Sequence, residues 1–215
     1  EILRCLVGSE MCIRDRVPSG NHDLIRLGSN CSEAELKVVF AFLLTFKHVP
    51  FIYYGDEIGM KYRKGLKSKD GGYIRTGSRT PMQWSDKEKN MGFSDAALTY
   101  LPVDTESGVS VEAQRGEERS LLNTVKRLIK LRKEHECLNS ESTFEVIGAE
   151  NRGYPFIYRR RDNKESIVVA LNPSNASLIL HADRIGRVLF SLNTRRENDE
   201  IILNGCSVFI YIENE

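Results

Sequence analysis

In "SEAELKVVFAFLLTF", Leu36, Val39, Phe40, Leu43 and Leu44 recur at helical spacing and define one wide apolar face. Ser32 and Glu35 stand three apart at its start, the spacing of a reciprocal capping box. Pro50 ends that helix, and Phe51 to Tyr54 form a short apolar and aromatic run of the kind buried as a parallel strand. Gly55 closes the run, and Asp56 and Glu57 follow at once. From Gly59 to Gly116 no long element is predicted, since Gly, Lys, Ser, Asp and Pro dominate. Irregular segments of that length usually serve function. "GEERSLLNTVKRLIKLRKEH" then predicts a helix with acidic residues at its start, basic ones at its end, and a stripe of Leu121, Leu122, Val125, Leu128 and Ile129.

Beyond about Asn139 the pattern changes to short β-type runs separated by turns such as "ENRG" and "NPSN". The runs are "TFEVIG", "PFIYRR", "SIVVALN", "SLIL", "RVLFSL", "EIILN" and "SVFIYI", which together predict an antiparallel β-domain. The organisation expected is therefore strand–helix units over residues 17–138 and a β-domain over 139–215.

A formal net charge of +1 argues against electrostatic capture of nucleic acid or an anionic membrane. The longest apolar run, Val38 to Phe46, falls short of the roughly 20 residues that span a bilayer. Five cysteines without close pairs or metal-ligand spacing predict reduced thiols and a cytoplasmic protein; a secreted protein with one unpaired thiol is the alternative. The opening "EILRCLVGSEMCIRDR" has neither an initiator Met nor a signal-peptide pattern and resembles translated adaptor sequence. Residues 1–16 are accordingly expected to be a non-native leader making few contacts with the rest.

The polar residues concentrate where strands end. "VPSGNHDLIRLGSN" sets Asn21, His22, Asp23 and Arg26 between a small-residue turn and an apolar run. Acidic and imidazole groups after two successive strands are what a repeated strand–helix enzyme presents on its catalytic face.

In this order, "GNHDLIR", "VPFIYYGDEIGM" and "GSRTPMQW" resemble the α-amylase family of glycoside hydrolases, closest to its α-glucosidase, oligo-1,6-glucosidase and trehalose-synthase branch. The resemblance covers roughly residues 17 to 215. It implies an α/β fold: the C-terminal portion of a (β/α)8 TIM barrel followed by a small antiparallel β-sandwich domain. Asn21, His22 and Asp23 then end the seventh barrel strand, residues 51–54 form the eighth, and residues 118–136 the last barrel helix. The family retains anomeric configuration with a carboxylate nucleophile, an acid/base and a third carboxylate. By the resemblance Asp23 is that third carboxylate, stabilising the transition state, and His22 donates to a hydroxyl of the same sugar. Asn21, Arg26, Arg79, Gln83, Trp84, Tyr54, Asp56 and Glu57 are implied in substrate binding. For Asp56 and Glu57, support of the loop is favoured over direct contact. Trp84 either stacks on a sugar face or plugs its loop, and at most one of Tyr53 and Tyr54 is expected to reach the site. The nucleophile and the acid/base belong to the fourth and fifth barrel strands, which this chain lacks.

The partner implied is an oligosaccharide, with no nucleic acid, no membrane, no cofactor and no metal; the oligomeric state is not legible. Two functions remain open. In one the chain is part of a retaining α-glycoside hydrolase on α-linked gluco-oligosaccharides, or of a transglycosylase or isomerase such as trehalose synthase. In the other it is a catalytically dead sugar-binding or structural fragment.

Overall fold

The computed structural model describes residues 16–67, 74–148, 153–182, 184–197 and 200–214. Strand β1 (Arg16–Pro18) pairs in parallel with β2 (Val49–Phe51), and helix α1 (Glu33–Thr45) makes the crossover between them. Arg16, expected in the leader, is thus a strand residue opposite Val49; the rest of the leader lies outside the described residues. The second strand starts two residues earlier than expected and contains Pro50, while Tyr53 and Tyr54 lie beyond its end. The predicted capping box of α1 is present, with the Glu35 amide donating to Ser32 Oγ (3.3 Å) and the Ser32 amide to Glu35 Oε2 (2.7 Å).

Helix α1 buries more than the expected stripe. Val38 and Ala41 are buried and Val39 only half-buried. The cause is tertiary: α1 lies between α3 (Leu121–Glu134) and the face of the C-terminal sheet, so it is enclosed on two sides. In α3 the expected face is largely the buried one, with Leu131 replacing Ile129. The helix starts later than predicted, because Ser120 is its N-cap and accepts from the Asn123 amide (3.2 Å), leaving Glu117 and Glu118 before it. Between β2 and α3 runs a loop with, among the described residues, three 3-10 turns and the short helix α2 (Val111–Arg115).

The C-terminal part is one six-stranded antiparallel sheet built from β3 (Thr143–Gly148), β4 (Phe156–Arg161), β5 (Ser166–Asn172), β6 (Leu178–Leu180), β7 (Ile185–Glu197) and β8 (Glu200–Glu213). "EIILN" and "SVFIYI", predicted as two strands, are one: Asn204 and Gly205 bend the strand without ending it. Leu203 pairs with β6 and Ser207 with β5, while β7 follows both halves. The buried Asn172 amide stitches the bend, donating to the carbonyls of Leu203 (3.1 Å) and Asn204 (3.0 Å). The curl gives the sheet two cores. Ile167, Val169, Leu171, Val208 and Ile210 face α1 and α3, whereas Val168, Ala170, Phe209 and Tyr211 face Leu180, Ile201 and Leu203. The expected boundary near Leu138 falls at the end of a 3-10 turn, and the first core runs across it.

Candidate active site

Both loops that leave the C-terminal ends of β1 and β2 converge on one buried ion pair. Arg26 donates from Nη1 to Asp56 Oδ1 (3.1 Å) and to the Tyr54 carbonyl (2.6 Å). Its guanidinium packs against the rings of both Tyr53 and Tyr54, 4.7 and 4.8 Å from their centroids. Ser19 donates its hydroxyl to Asp56 Oδ2 (2.7 Å) and accepts from the Tyr53 amide (3.0 Å). Burial pushes the Asp56 carboxyl above its ordinary value, with the Ser19 hydrogen bond and the Arg26 charge pulling the other way. The approach is so close that a Cβ at Gly20 would stand 2.8 Å from Asp56 Oδ2. Gly55, at φ +84°, supplies the left-handed turn that aims Asp56 inward.

That bracing sets the exposed loop above it. Asn21 Oδ1 accepts from the amides of Asp23 (2.8 Å) and Leu24 (3.1 Å), so its side chain shapes the turn. His22 and Asp23 stand exposed on this turn, His22 Nε2 3.3 Å from Asp23 Oδ2. The loop after β2 folds back over it. Tyr53 and Tyr54 donate their hydroxyls to the carbonyls of Ser78 (3.1 Å) and Thr80 (2.8 Å), and Ser78 Oγ donates to the Leu24 carbonyl. This brings Arg79 Nη2 (3.0 Å) and Arg75 Nη1 (3.2 Å) onto Asp23 Oδ1, while Arg79 Nε reaches the His22 carbonyl (3.2 Å). Desolvation raises the Asp23 pKa, but the Arg79 hydrogen bond and the electrostatic influence of His22, Arg75 and Arg79 outweigh it and hold the carboxyl below its usual range. The result is an exposed, persistent anion on a loop fixed from beneath.

Of the residues implied in substrate binding, Arg26 and Gln83 are interior instead, and Asp56 is interior in the loop-supporting position favoured for it. Arg26, Asp56 and Gln83 are at most 1% exposed. Gln83 donates to the Asp104 carbonyl (2.6 Å) and Ser107 Oγ (3.1 Å), pinning the long loop to itself. Asn21 is occupied with its own turn. His22, Asp23 and Arg79 come together on the surface, and Tyr54, Glu57, Arg79 and Trp84 line one neighbouring cleft. Both tyrosine hydroxyls hold the loop after β2, and of the two it is Tyr54 that lines the cleft. Arg75 and Ser19 went unnoticed in the sequence. A signal for Arg75 existed in the repeated "RT" of "IRTGSRT", which spaces two arginines four apart around a glycine.

Strand ends that carry an exposed, arginine-held carboxylate, on a parallel crossover unit packed against an antiparallel sheet, define a barrel-type α/β module. Residues 11–141 match the family described as alpha amylase, catalytic domain, and the chain belongs to the α-amylase family of glycoside hydrolases and transglycosylases. It is 33% identical over 204 residues to a salivary alpha-glucosidase of Aedes aegypti, covering 85% of this chain and 34% of that protein. Over 141 residues it is 36% identical to a trehalose synthase of Thermus thermophilus, covering 62% of this chain and 14% of the relative. The fold is similar to that of the isomaltulose synthase of Erwinia rhapontici NX5, with a TM-score of 0.78 at 23% identity over 94% of this chain and 43% of that one. The chain therefore spans about a third of the length of the first of these relatives and less of the second. Among the described residues no helix is long and apolar enough to cross a membrane.

Proposed function

We propose that this chain is part of a retaining α-glycoside hydrolase acting on α-linked gluco-oligosaccharides, with Asp23 as the carboxylate that stabilises the transition state. The observation that supports this is the double hydrogen bond from Arg75 and Arg79 to an exposed Asp23. As the glycosidic bond breaks, positive charge develops on the sugar ring, and a carboxylate fixed before the reaction gains most in that state. Such a group acts on the rate more than on ground-state binding. The chain's own part in the chemistry is to hold this anion and to position a hydroxyl through His22. The nucleophile and the acid/base come from other barrel strands, so the isolated 215-residue chain is expected to show no turnover of maltose or isomaltose.

In the complete enzyme, Asp23→Asn keeps the side-chain volume and should lower kcat by about 10²–10³-fold while KM changes little. Turnover equal to that of the unmodified enzyme would refute the assignment. A second reading, glucosyl transfer or isomerisation, is supported by the likeness to trehalose synthase and, at 31% identity over 192 residues, to a 4-alpha-glucanotransferase of Thermotoga neapolitana. Chromatography of the products from maltose separates the two, glucose alone marking hydrolysis and trehalose or longer glucans marking transfer.

A further inference from the structure

Asn-x-Ser or Asn-x-Thr, with x other than proline, is the acceptor pattern for an N-linked glycan, and the chain carries it in Asn30-Cys31-Ser32 and in Asn175-Ala176-Ser177. The second falls in the turn between β5 and β6, where Asn175, Ala176 and Ser177 are all exposed. The sheet holds the main chain of this turn from beneath. The Asn172 side-chain amide donates to the Ala176 carbonyl (2.7 Å), and the Cys206 backbone amide to that of Ser174 (2.9 Å). Gly205 lies so close that a Cβ there would stand 2.8 Å from the Asn175 carbonyl oxygen. Asn172, followed by Pro173, is wholly buried and spends its amide on the carbonyls of Ala176, Leu203 and Asn204. Asn175 makes no side-chain hydrogen bond among the described residues, so its amide is open to modification. Asn30, by contrast, sits at a packed junction: Ser29 Oγ accepts from the Tyr62 amide (2.6 Å), and Ser32 caps α1.

The strand that follows gives such a modification a use. In the six-stranded sheet, β3, β6 and β7 each have a side without a partner strand among the described residues. Open sheet edges invite pairing with another chain and are guarded by charge or cover. Strand β3 carries Glu145, and β7 carries Arg187, Arg195, Arg196 and Glu197. Strand β6 reads Leu-Ile-Leu, and its Ile179 is 47% exposed. It is the one of the three without a charge, and Asn175 stands just before its first residue, Leu178.

We propose that Asn175 is an N-glycosylation site and that its glycan, bulky and hydrated, covers the open edge of β6. The acceptor is Asn175 Nδ2, and the donor is an oligosaccharide carried on a lipid pyrophosphate. Nδ2 bonds to the anomeric carbon, the bond from that carbon to the pyrophosphate oxygen breaks, and the lipid pyrophosphate leaves with the electron pair. The amide gives up one proton to solvent, and nothing is oxidised or reduced. The inference is independent of the role of Asp23. It commits the chain to a secretory compartment, where asparagine acceptors are used, in place of the cytoplasm expected from the scattered cysteines.

The complete enzyme, secreted from cultured eukaryotic cells and digested for mass spectrometry, should yield the Asn175 peptide as a glycopeptide. A peptide N-glycosidase should release the glycan and leave aspartate at that position. Ser177→Ala should abolish the attachment and Ser177→Thr should keep it, with kcat unchanged in both. Releasing the glycan from the folded enzyme tests the edge without relying on how a variant folds. The released form should self-associate at a several-fold lower concentration, seen by light scattering, and Ile179→Lys should cancel that difference. An unmodified Asn175 peptide from the secreted enzyme would overturn the site. Equal self-association before and after release would overturn the covering of β6.

Discussion

Arg26 and Asp56 are a pair whose value lies in being unbroken. Both side chains are wholly inaccessible, and removing one partner of such a pair strands the other charge in the interior. Arg26→Met should therefore cost about 3–5 kcal/mol of stability, read from urea unfolding at pH 7. The pH dependence gives the cause. Asp56 has a folded-state pKa above the usual 3.8, so its favourable contribution is complete below that value and is lost as pH rises through the folded value. Without Arg26 the carboxyl shifts further upward, and the deficit of the variant should shrink as the pH is lowered towards 4. A deficit that is constant with pH would show that lost packing against Tyr53 and Tyr54, rather than the stranded charge, is responsible.

At the scale of elements, the C-terminal end of α1 shows how the two halves of the molecule hold together. The helix has no basic residue in its last turn. The cations that meet its free carbonyls come from distant elements: Arg132 of α3 donates to the carbonyl of Leu44 (2.8 Å) and, beyond the helix, to that of His48 (2.6 Å), and Arg160 of β4 to that of Thr45 (2.6 Å). Arg160 also donates to the carbonyls of Leu138 and Asn139, which tie the boundary segment to the sheet. Burial lowers the Arg160 guanidinium to about 10, so it remains charged at neutral pH. Tyr158 adds a hydroxyl contact to Thr45 Oγ1 (2.5 Å). Arg160→Met leaves several buried carbonyls without donors at about 1–3 kcal/mol each, so a loss of at least about 3 kcal/mol is expected in denaturant titration. Tyr158→Phe should cost about 1 kcal/mol. A loss below 1 kcal/mol for Arg160→Met would mean that water takes over these carbonyls.

For the whole molecule, the exposed feature is the β1–β2 pair. Parallel strands are ordinarily covered on both faces and joined at both edges, yet among the described residues this sheet has two strands, and Leu24, Ile25 and Phe51 beside it stand in water. The isolated chain should self-associate as its concentration rises, seen as a growing mass in light scattering after size exclusion. Phe51→Lys should reduce that growth. A constant monomer mass at all concentrations would show that the surface is harmless.

The local signals in the sequence were strong where neighbours in the chain decide the outcome. The Ser32–Glu35 cap, the crossover helix, the Leu121–Leu128 face and the alternating runs of the C-terminal part all rest on contacts a few residues apart. The Asn-His-Asp turn was also legible as a polar turn following a strand. Tertiary structure decided what depends on partners far along the chain. It buried Val38 and Ala41 by laying a sheet on the helix, and it fused two strands because Asn172 holds the bend from the neighbouring strand. It also divided the polar residues of the loops into two roles. Arg26, Asp56 and Gln83 went inward because each found a partner there, and Asp23 stayed outward because its arginines arrive from more than fifty residues away, a distance in sequence that no pattern of spacing encodes.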